Sequence, residues 1–217
     1  MIKDYFKEIN SEEKAYWLGF LYADGCVDNN LRHINLELNI KDYDHIAKFK
    51  EVLETNAKIV IKEPTTTKPN RSVRIVISCK QMCCDLVKLG CMPCKSAKLI
   101  FPNENQVPNH LLSHFIRGYF DGDGCLCCCE GYRKRPDRRG KEYHYKTWFL
   151  TFAGTEDFLL GICNFLGDKT KLIKNSKCTY QLKFGGNLKI KKLMSKFYEN
   201  ANVYLDRKQI IYQSLIS

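Results

Sequence analysis

The chain has 217 residues, 44% of them apolar, which is enough to give one or two compact domains a buried core and excludes a disordered basic tail. Thirty-five Lys or Arg stand against 24 Asp or Glu, a formal charge of +11 with His neutral. No run is long and apolar enough for a membrane span, and the opening MIKDYFKEIN shows no apolar signal segment. The 12 cysteines are therefore expected to be reduced thiols inside a cell, in cytoplasm, nucleoid or organelle matrix, rather than the disulfides of an exported scaffold.

In chain order, 11-SEEKAYWLGFLYADG-25 predicts a helix with Ser11 as N-cap, Glu12 and Glu13 in the first turn and Gly25 as its stop. Ala15, Leu18, Gly19 and Tyr22 share one of its faces. A strand over 32–40 follows as part of a hairpin, alternating at Ile34, Leu36, Leu38 and Ile40. A helix over about 42–55 groups Ile46, Phe49, Lys50 and Leu53 on one side. Strands over 57–63 and 71–78 flank the turn-rich TTTKPN, and 80–89 reads as a short helix.

After residue 100 the order starts again. A helix over 109–124 also ends in Asp-Gly; then come a strand near 125–130, a basic insertion over 131–145 and a strand over 146–152. A helix from Thr155 to Leu166, a hairpin over 169–184 and a helix over about 187–199 complete the second series. The order helix, strand, strand, helix, strand, strand, helix occurs twice, which predicts an internal duplication. Asp24 and Asp123 are 99 residues apart, whereas Asp44 and Asp157 in the next helices are 113 apart; the extra 14 residues match the length of the basic insertion. The same offset pairs Ile59 with Leu172 and Lys95 with Lys208. The units divide as 1–100 and 101–217.

The charge is regional. Residues 1–60 carry 8 basic and 11 acidic side chains, leaving 27 and 13 for the remainder. Six Lys or Arg fall in 131–145, and eight Lys with no acid in 169–192. Such stretches attract a polyanion, nucleic acid first, although a solvated surface that only resists aggregation has the same composition.

Asp24 and Asp123 each sit in the last turn of a predicted helix, where a carboxylate meets the negative end of the dipole. Either they begin Asp-Gly turns and face water, or the cost is borne for function. Gly19 with Ala23 and Gly118 with Gly122 are spaced i,i+4, so each helix offers a small-residue face on which the two backbones can approach and bring the acids side by side. Paired oxygen ligands of this kind suggest magnesium, with the carbonyls of Ala23 and Gly122 as further ligands.

The strings 17-WLGFLYADG-25 and 116-IRGYFDGDG-124 resemble two copies of the motif that names the LAGLIDADG homing endonucleases, and the resemblance covers nearly all of the chain. It implies an α+β fold of two pseudo-symmetric αββαββα units, with the motif helices central and antiparallel sheets forming a saddle over double-stranded DNA. It implies a monomeric, single-chain enzyme that uses Mg2+, with Mn2+ as a substitute and Ca2+ supporting binding without turnover. One cut per strand across the minor groove of a long, near-asymmetric target would leave 3′ overhangs. The metal-binding motif acid falls on Asp24 and Asp123. The earlier motif acid is Asp121 in the second copy but Tyr22 in the first, a departure at a position that is not the usual metal ligand.

Stabilising the transition state calls for a basic group near each phosphate. Lys95 and Lys208 are the catalytic candidates, in related places after the last helix of each unit, with Lys98 a rival in the first. Glu37, Asn39 and Thr151 lie in segments suited to auxiliary polar roles. Candidate DNA contacts are Arg32, Asn35, Glu37, Arg71 and Arg74 in the first unit, and Lys146, Lys171, Lys174, Lys177 and Lys183 in the second. The insertion adds Arg133, Arg135, Arg138 and Arg139, with His144 as a further contact. Cys91 and Cys94 have knuckle spacing, but a single such pair is a weak zinc signal and the run Cys127-Cys128-Cys129 alternates its faces on a strand, so reduced structural thiols are the main reading. His33, His45, His110 and His114 show no mutual metal pattern. The leading expectation is a site-specific DNA endonuclease; the alternative is a DNA-binding protein or an RNA-binding intron maturase on the same scaffold.

Overall fold

A computed structural model describes residues 1–134 and 140–217, with nothing described of the Ser96 side chain. Helix α1 (Glu12–Ala23) starts where Ser11 Oγ accepts from the Lys14 amide at 3.3 Å. Every residue from Ala15 to Tyr22 is buried, so α1 is enclosed on all sides rather than along the single face that its periodicity predicts. Gly25 does not close the helix in a left-handed turn; Asp24 is the cap, and Gly25 opens strand β1 (Gly25–Val27).

Strand β2 (His33–Asn39) buries Ile34, Leu36 and Leu38 and turns Asn35 and Glu37 to the opposite face. Helix α2 (Tyr43–Val52), strands β3 (Ile59–Lys62) and β4 (Ser72–Ser78) and helix α3 (Lys80–Lys88) follow. The second series is α4 (Leu112–Asp123), β5 (Gly124–Lys134), β6 (Glu142–Gly154), α5 (Glu156–Leu166), β7 (Ile173–Lys174), β8 (Tyr180–Gly185) and α6 (Asn187–Tyr198). Both sheets are antiparallel, with orders β1-β2-β4-β3 and β5-β6-β8-β7, the same topology twice.

The helix pair α1 and α4 forms the centre. A Cβ built on Gly19 would stand 1.9 Å from the Phe115 carbonyl oxygen, and one on Gly118 would stand 2.0 Å from that of Tyr16. Gly19 and Gly118, and likewise Tyr16 and Phe115, are each 99 residues apart, so the contact is reciprocal about a pseudo-twofold axis. Backbone meets backbone there, and both sheets are launched from the same end of the pair.

Two features depart from the sequence-based reading. Strands β5 and β6 pair from Gly124↔Phe152 out to Lys134↔Glu142, so most of the basic insertion is a hairpin arm continuous with the sheet. A seventh helix, α7 (Asp206–Ile216), closes the chain. Its buried positions are Lys208, Tyr212 and Leu215, and a stripe that begins with a lysine and has no side-chain N-cap leaves no amphipathic signature. Arg207 donates to Asp42 at 2.9 Å and Lys48 to Asp206 at 2.9 Å, which fastens α7 across to the first unit. Among the described residues, no helix is long and apolar enough to cross a membrane.

Candidate functional site

Asp24 and Asp123 stand together at the C-terminal ends of α1 and α4. A Cβ on Gly122 would lie 2.4 Å from the Ala23 Cβ and 3.0 Å from Asp24 Oδ2, so the helices touch at the level of the acids. Burial and then the neighbouring Asp123 carboxylate push the Asp24 carboxyl up to about 6. Asp123 is also raised, by the surrounding protein, although its side chain still reaches solvent; Lys95 and Lys208 oppose the shift.

Those two lysines hold matched positions. Lys95, in a short 3-10 turn (Lys95–Ala97), is 8% exposed and donates to the Ala23 carbonyl at 3.1 Å and to that of Gly25. Lys208, in the first turn of α7, is 5% exposed and donates to the Phe120 carbonyl at 3.4 Å and to that of Gly124. Gly25 and Gly124 are related by the same 99-residue offset as the acids. Burial, with help from Arg207, holds Lys208 below the ordinary lysine range. Lys98, the sequence rival, is exposed. A cavity of about 210 Å³ beside the acids is lined by Lys95, Asp123, Tyr119 and Thr179 among others, and draws on both units.

Asp121 and Tyr22, the mismatched motif positions, do related work with opposite polarity. Tyr22 donates its hydroxyl to the Leu89 carbonyl, in the loop after α3. Asp121 is fully buried; it accepts from Tyr16 at 2.7 Å, from Tyr198 and from the Leu205 amide at 2.7 Å, immediately before α7. Burial outweighs those bonds and lifts its carboxyl to about 6. Tyr16 also meets His45 Nε2 at 3.0 Å, which carries the network into α2. Beside it, Arg117, 1% exposed, donates to Glu12 at 2.7 Å and to the carbonyls of Val203 and Phe197 at 2.9 and 2.6 Å. Nothing in the sequence signals these links, because their partners are far apart along the chain.

The predicted DNA contacts divide by face. Asn35, Glu37 and Arg74 lie on the face of the first sheet that carries no helix, and Arg74 donates to Asn35 at 2.5 Å. Glu37 is held by Lys62 at 2.7 Å, Lys68 at 2.8 Å and Ser72 at 3.0 Å, and the lysine bonds bring its carboxyl down to about 2. Arg32 precedes β2, and Arg71, just before β4, is paired with Glu63 at 2.7 Å. In the second sheet Lys183 and Arg133 share the open face, Arg133 standing 4.4 Å over the Tyr145 ring. Lys146 and Lys174 fall in register with the core-facing side chains instead, Lys146 beside Glu130 at 3.4 Å and Lys174 over Tyr180. Lys171 and Lys177 are exposed in the loops around β7. Arg135, Arg138 and Arg139 lie outside the described residues.

Among the described residues, no group of three or more His, Cys, Asp or Glu is placed to hold a metal ion by itself. Cys91 is buried and donates to the Leu21 carbonyl at 3.6 Å, whereas Cys94 is exposed.

Two antiparallel four-stranded sheets in one repeated order, hung from a close central helix pair with acids at one end, are the fold of the LAGLIDADG homing endonucleases. The chain is similar to the LAGLIDADG meganuclease I-AabMI bound to uncleaved DNA at 14% identity and a TM-score of 0.59, over 93% of this chain and 88% of that one. It is similar to the I-LtrWI LAGLIDADG homing endonuclease bound to target DNA at 12% identity and a TM-score of 0.61, over 95% and 91%. It is also similar to the meganuclease I-SmaMI bound to uncleaveable DNA at 10% identity and a TM-score of 0.62, over 95% and 90%. At these identities the likeness is one of fold. No protein-family model matches the sequence, and neither does any curated protein.

Proposed function

We propose that this protein is a monomeric, site-specific endonuclease that hydrolyses both strands of duplex DNA with the help of a divalent cation. The observation that carries this reading is the pairing of Asp24 with Asp123 at touching helix ends, each end bearing a buried lysine bound to the carbonyl of the following glycine. Two carboxylates raised in pKa by burial, one of them further by its twin, form a site that a cation relieves. The donor set is all oxygen and fits Mg2+, or Mn2+ in its place, with Asp24, Asp123 and the carbonyls of Ala23 and Gly122 as holders and Ca2+ as a non-productive stand-in. When bound, the ion neutralises charge at the scissile phosphate and makes an attacking water more acidic.

The protein's own groups do the rest. An ammonium has three N–H donors. Lys95 and Lys208 each give two to backbone carbonyls, which leaves one for the charge that develops on a phosphate oxygen. Their burial keeps that donor oriented before substrate arrives. The open sheet faces take the major groove, while Lys171, Lys177 and Arg133 hold flanking phosphates, a role given to Arg135, Arg138 and Arg139 on their charge alone. Staggered cuts leaving 3′ overhangs, in an intracellular compartment that keeps the thiols reduced, complete the reading. The solved relatives bound to DNA support duplex DNA as the partner.

The test is selection on a randomised duplex library with Mg2+, reading the cut products. A discrete target cleaved on both strands supports the proposal. Tight binding to a duplex or an intron RNA with no cleavage would replace it with a binding protein or maturase on the same scaffold.

A further inference from the structure

The duplicated sheets can be aligned by register, and their open faces carry different chemistry. In the first sheet Cys26, Asn35 and Val76 lie in one row; the matching row of the second is Cys125, Thr151 and Lys183. Stepping along the strands in each direction, His33 with Ser78 matches Phe149 with Gly185, and Glu37 with Arg74 matches Ala153 with Gln181. Wherever the first sheet has an imidazole, a carboxamide or a guanidinium, the second has a phenyl ring, a threonine or a neutral amide. The first face is also organised for hydrogen bonding: Arg74 donates to Asn35 at 2.5 Å, His33 Nδ1 meets Ser78 Oγ at 3.0 Å, and these residues line a hollow of about 330 Å³.

The second face extends further and gains thiols and aromatic rings, with one exchange in the other direction: Lys183 stands where the first sheet has Val76, its ammonium 4.6 Å over the Phe149 ring, which leaves the ring edge for a methyl. Where β1 stops at Val27, β5 runs on, placing Cys125, Cys127 and Cys129 exposed on the open side opposite Thr151, Phe149 and Thr147. Thiols behave as small apolar groups with a weak donor. Major-groove thymine is distinguished by its methyl group, which apolar side chains contact, whereas guanine offers two acceptors to arginine and adenine a donor and acceptor to asparagine.

We propose that the two sheets read opposite chemistries, the first a guanine-bearing stretch through Arg74 and its hydrogen-bonding neighbours, the second a thymine-rich stretch through methyl contact with Phe149 and the β5 thiols. The inference rests on the duplex-DNA reading above and adds to it which base class each half of the target carries. The thiol stripe is then a reading surface, and the asymmetry of the target follows from divergence of the two copies.

The experiment uses the full chain with Ca2+, so that binding is read without cleavage. A bound site selected from a random duplex library is resynthesised with deoxyuridine for thymidine, or 7-deazaguanine for guanine, in one half at a time. Affinities are measured for the wild type, Phe149→Ala and Arg74→Ala. Deoxyuridine should weaken binding about fourfold per contacted methyl, in one half only, and the effect should shrink by one such factor in Phe149→Ala, the β5 thiols retaining the rest. Loss of guanine N7 should weaken binding about tenfold in the other half and be silent in Arg74→Ala. Uridine sensitivity in both halves, in neither, or undiminished in Phe149→Ala, or 7-deazaguanine sensitivity unchanged in Arg74→Ala, overturns the proposal while leaving the nuclease reading intact. Failure to select any duplex sinks the nuclease reading and this inference with it.

Discussion

Asp24 Oδ2 lies 3.0 Å from the point where a Cβ on Gly122 would stand, so the glycine leaves the space that the carboxylate occupies. Crowding at this end of the helix pair is therefore built from small residues upward. Gly19→Ala and Gly118→Ala place a methyl against backbone oxygen, which cannot yield as a side chain does, and each is expected to cost about 3 kcal/mol in denaturant unfolding. Gly122→Ala meets the Ala23 Cβ at 2.4 Å and the acid at 3.0 Å, less closely than at the two inner glycines and in the last turn, where a helix end shifts more readily. It should unfold closer to wild type yet bind Mg2+ and DNA together more weakly, and Ala23→Gly in the same chain should recover part of the loss. Equal stability costs at Gly19, Gly118 and Gly122 would contradict this ordering.

The raised carboxyls make metal-free stability depend on pH in a definite direction. A folded-state value of about 6 for Asp24, above its ordinary 3.8, means that the folded chain holds that proton more tightly than the unfolded chain. The stabilising contribution is full below about pH 4 and is lost as pH rises through about 6. Asp123 acts in the same direction. The melting temperature of wild type should therefore fall relative to Asp24→Asn across that window, and Mg2+ should reduce the difference. Parallel pH profiles for the two proteins would show that the carboxylates are not crowded.

Asp24→Asn and Asp123→Asn should each suppress cleavage while sparing duplex binding measured with Ca2+. At neutral pH without metal, either variant should be more stable than wild type by about 0.5–1 kcal/mol, since it removes a charge from the unfavourable end of a helix. Retained cutting in both variants would remove the acids from the mechanism.

Lys95→Met and Lys208→Met keep the buried stem and delete the ammonium. Cleavage rate should fall by about a hundredfold with affinity changed only a few-fold. Matching losses in rate and affinity would make the lysines phosphate contacts instead.

Asp121→Ala leaves the Leu205 amide and the hydroxyls of Tyr16 and Tyr198 without their shared acceptor. A destabilisation of about 3 kcal/mol is expected, measured by thermal unfolding. Because Leu205 leads into the turn that carries Lys208, slower cleavage by the residual folded protein should accompany it. Wild-type stability would show that the network does not hold α7.

Much of this protein is legible along the chain. The alternation of Ile34, Leu36 and Leu38, the two Asp-Gly helix ends and the constant offset between copies are local or periodic signals, and they suffice for the repeated order of helices and strands and for the acids Asp24 and Asp123. Burial patterns within one element say which side faces inward but not what lies there. Helix α7 leaves no local signal because its inward stripe begins with Lys208, a residue that is buried only because carbonyls of another helix end receive it. Strand register decides that Lys146 lies opposite Glu130 and Lys174 opposite Tyr180, and sheet packing brings Lys62 and Lys68 to Glu37. The link from Tyr16 to Asp121 joins residues 105 positions apart. The sequence alone determined the repeated order of helices and strands and the two helices that end at Asp24 and Asp123, because periodicity and helix-end chemistry act within a few residues. Only the tertiary structure decided which groups share a site, because that depends on how closely two distant backbones pack, and here Gly19 and Gly118 let them touch.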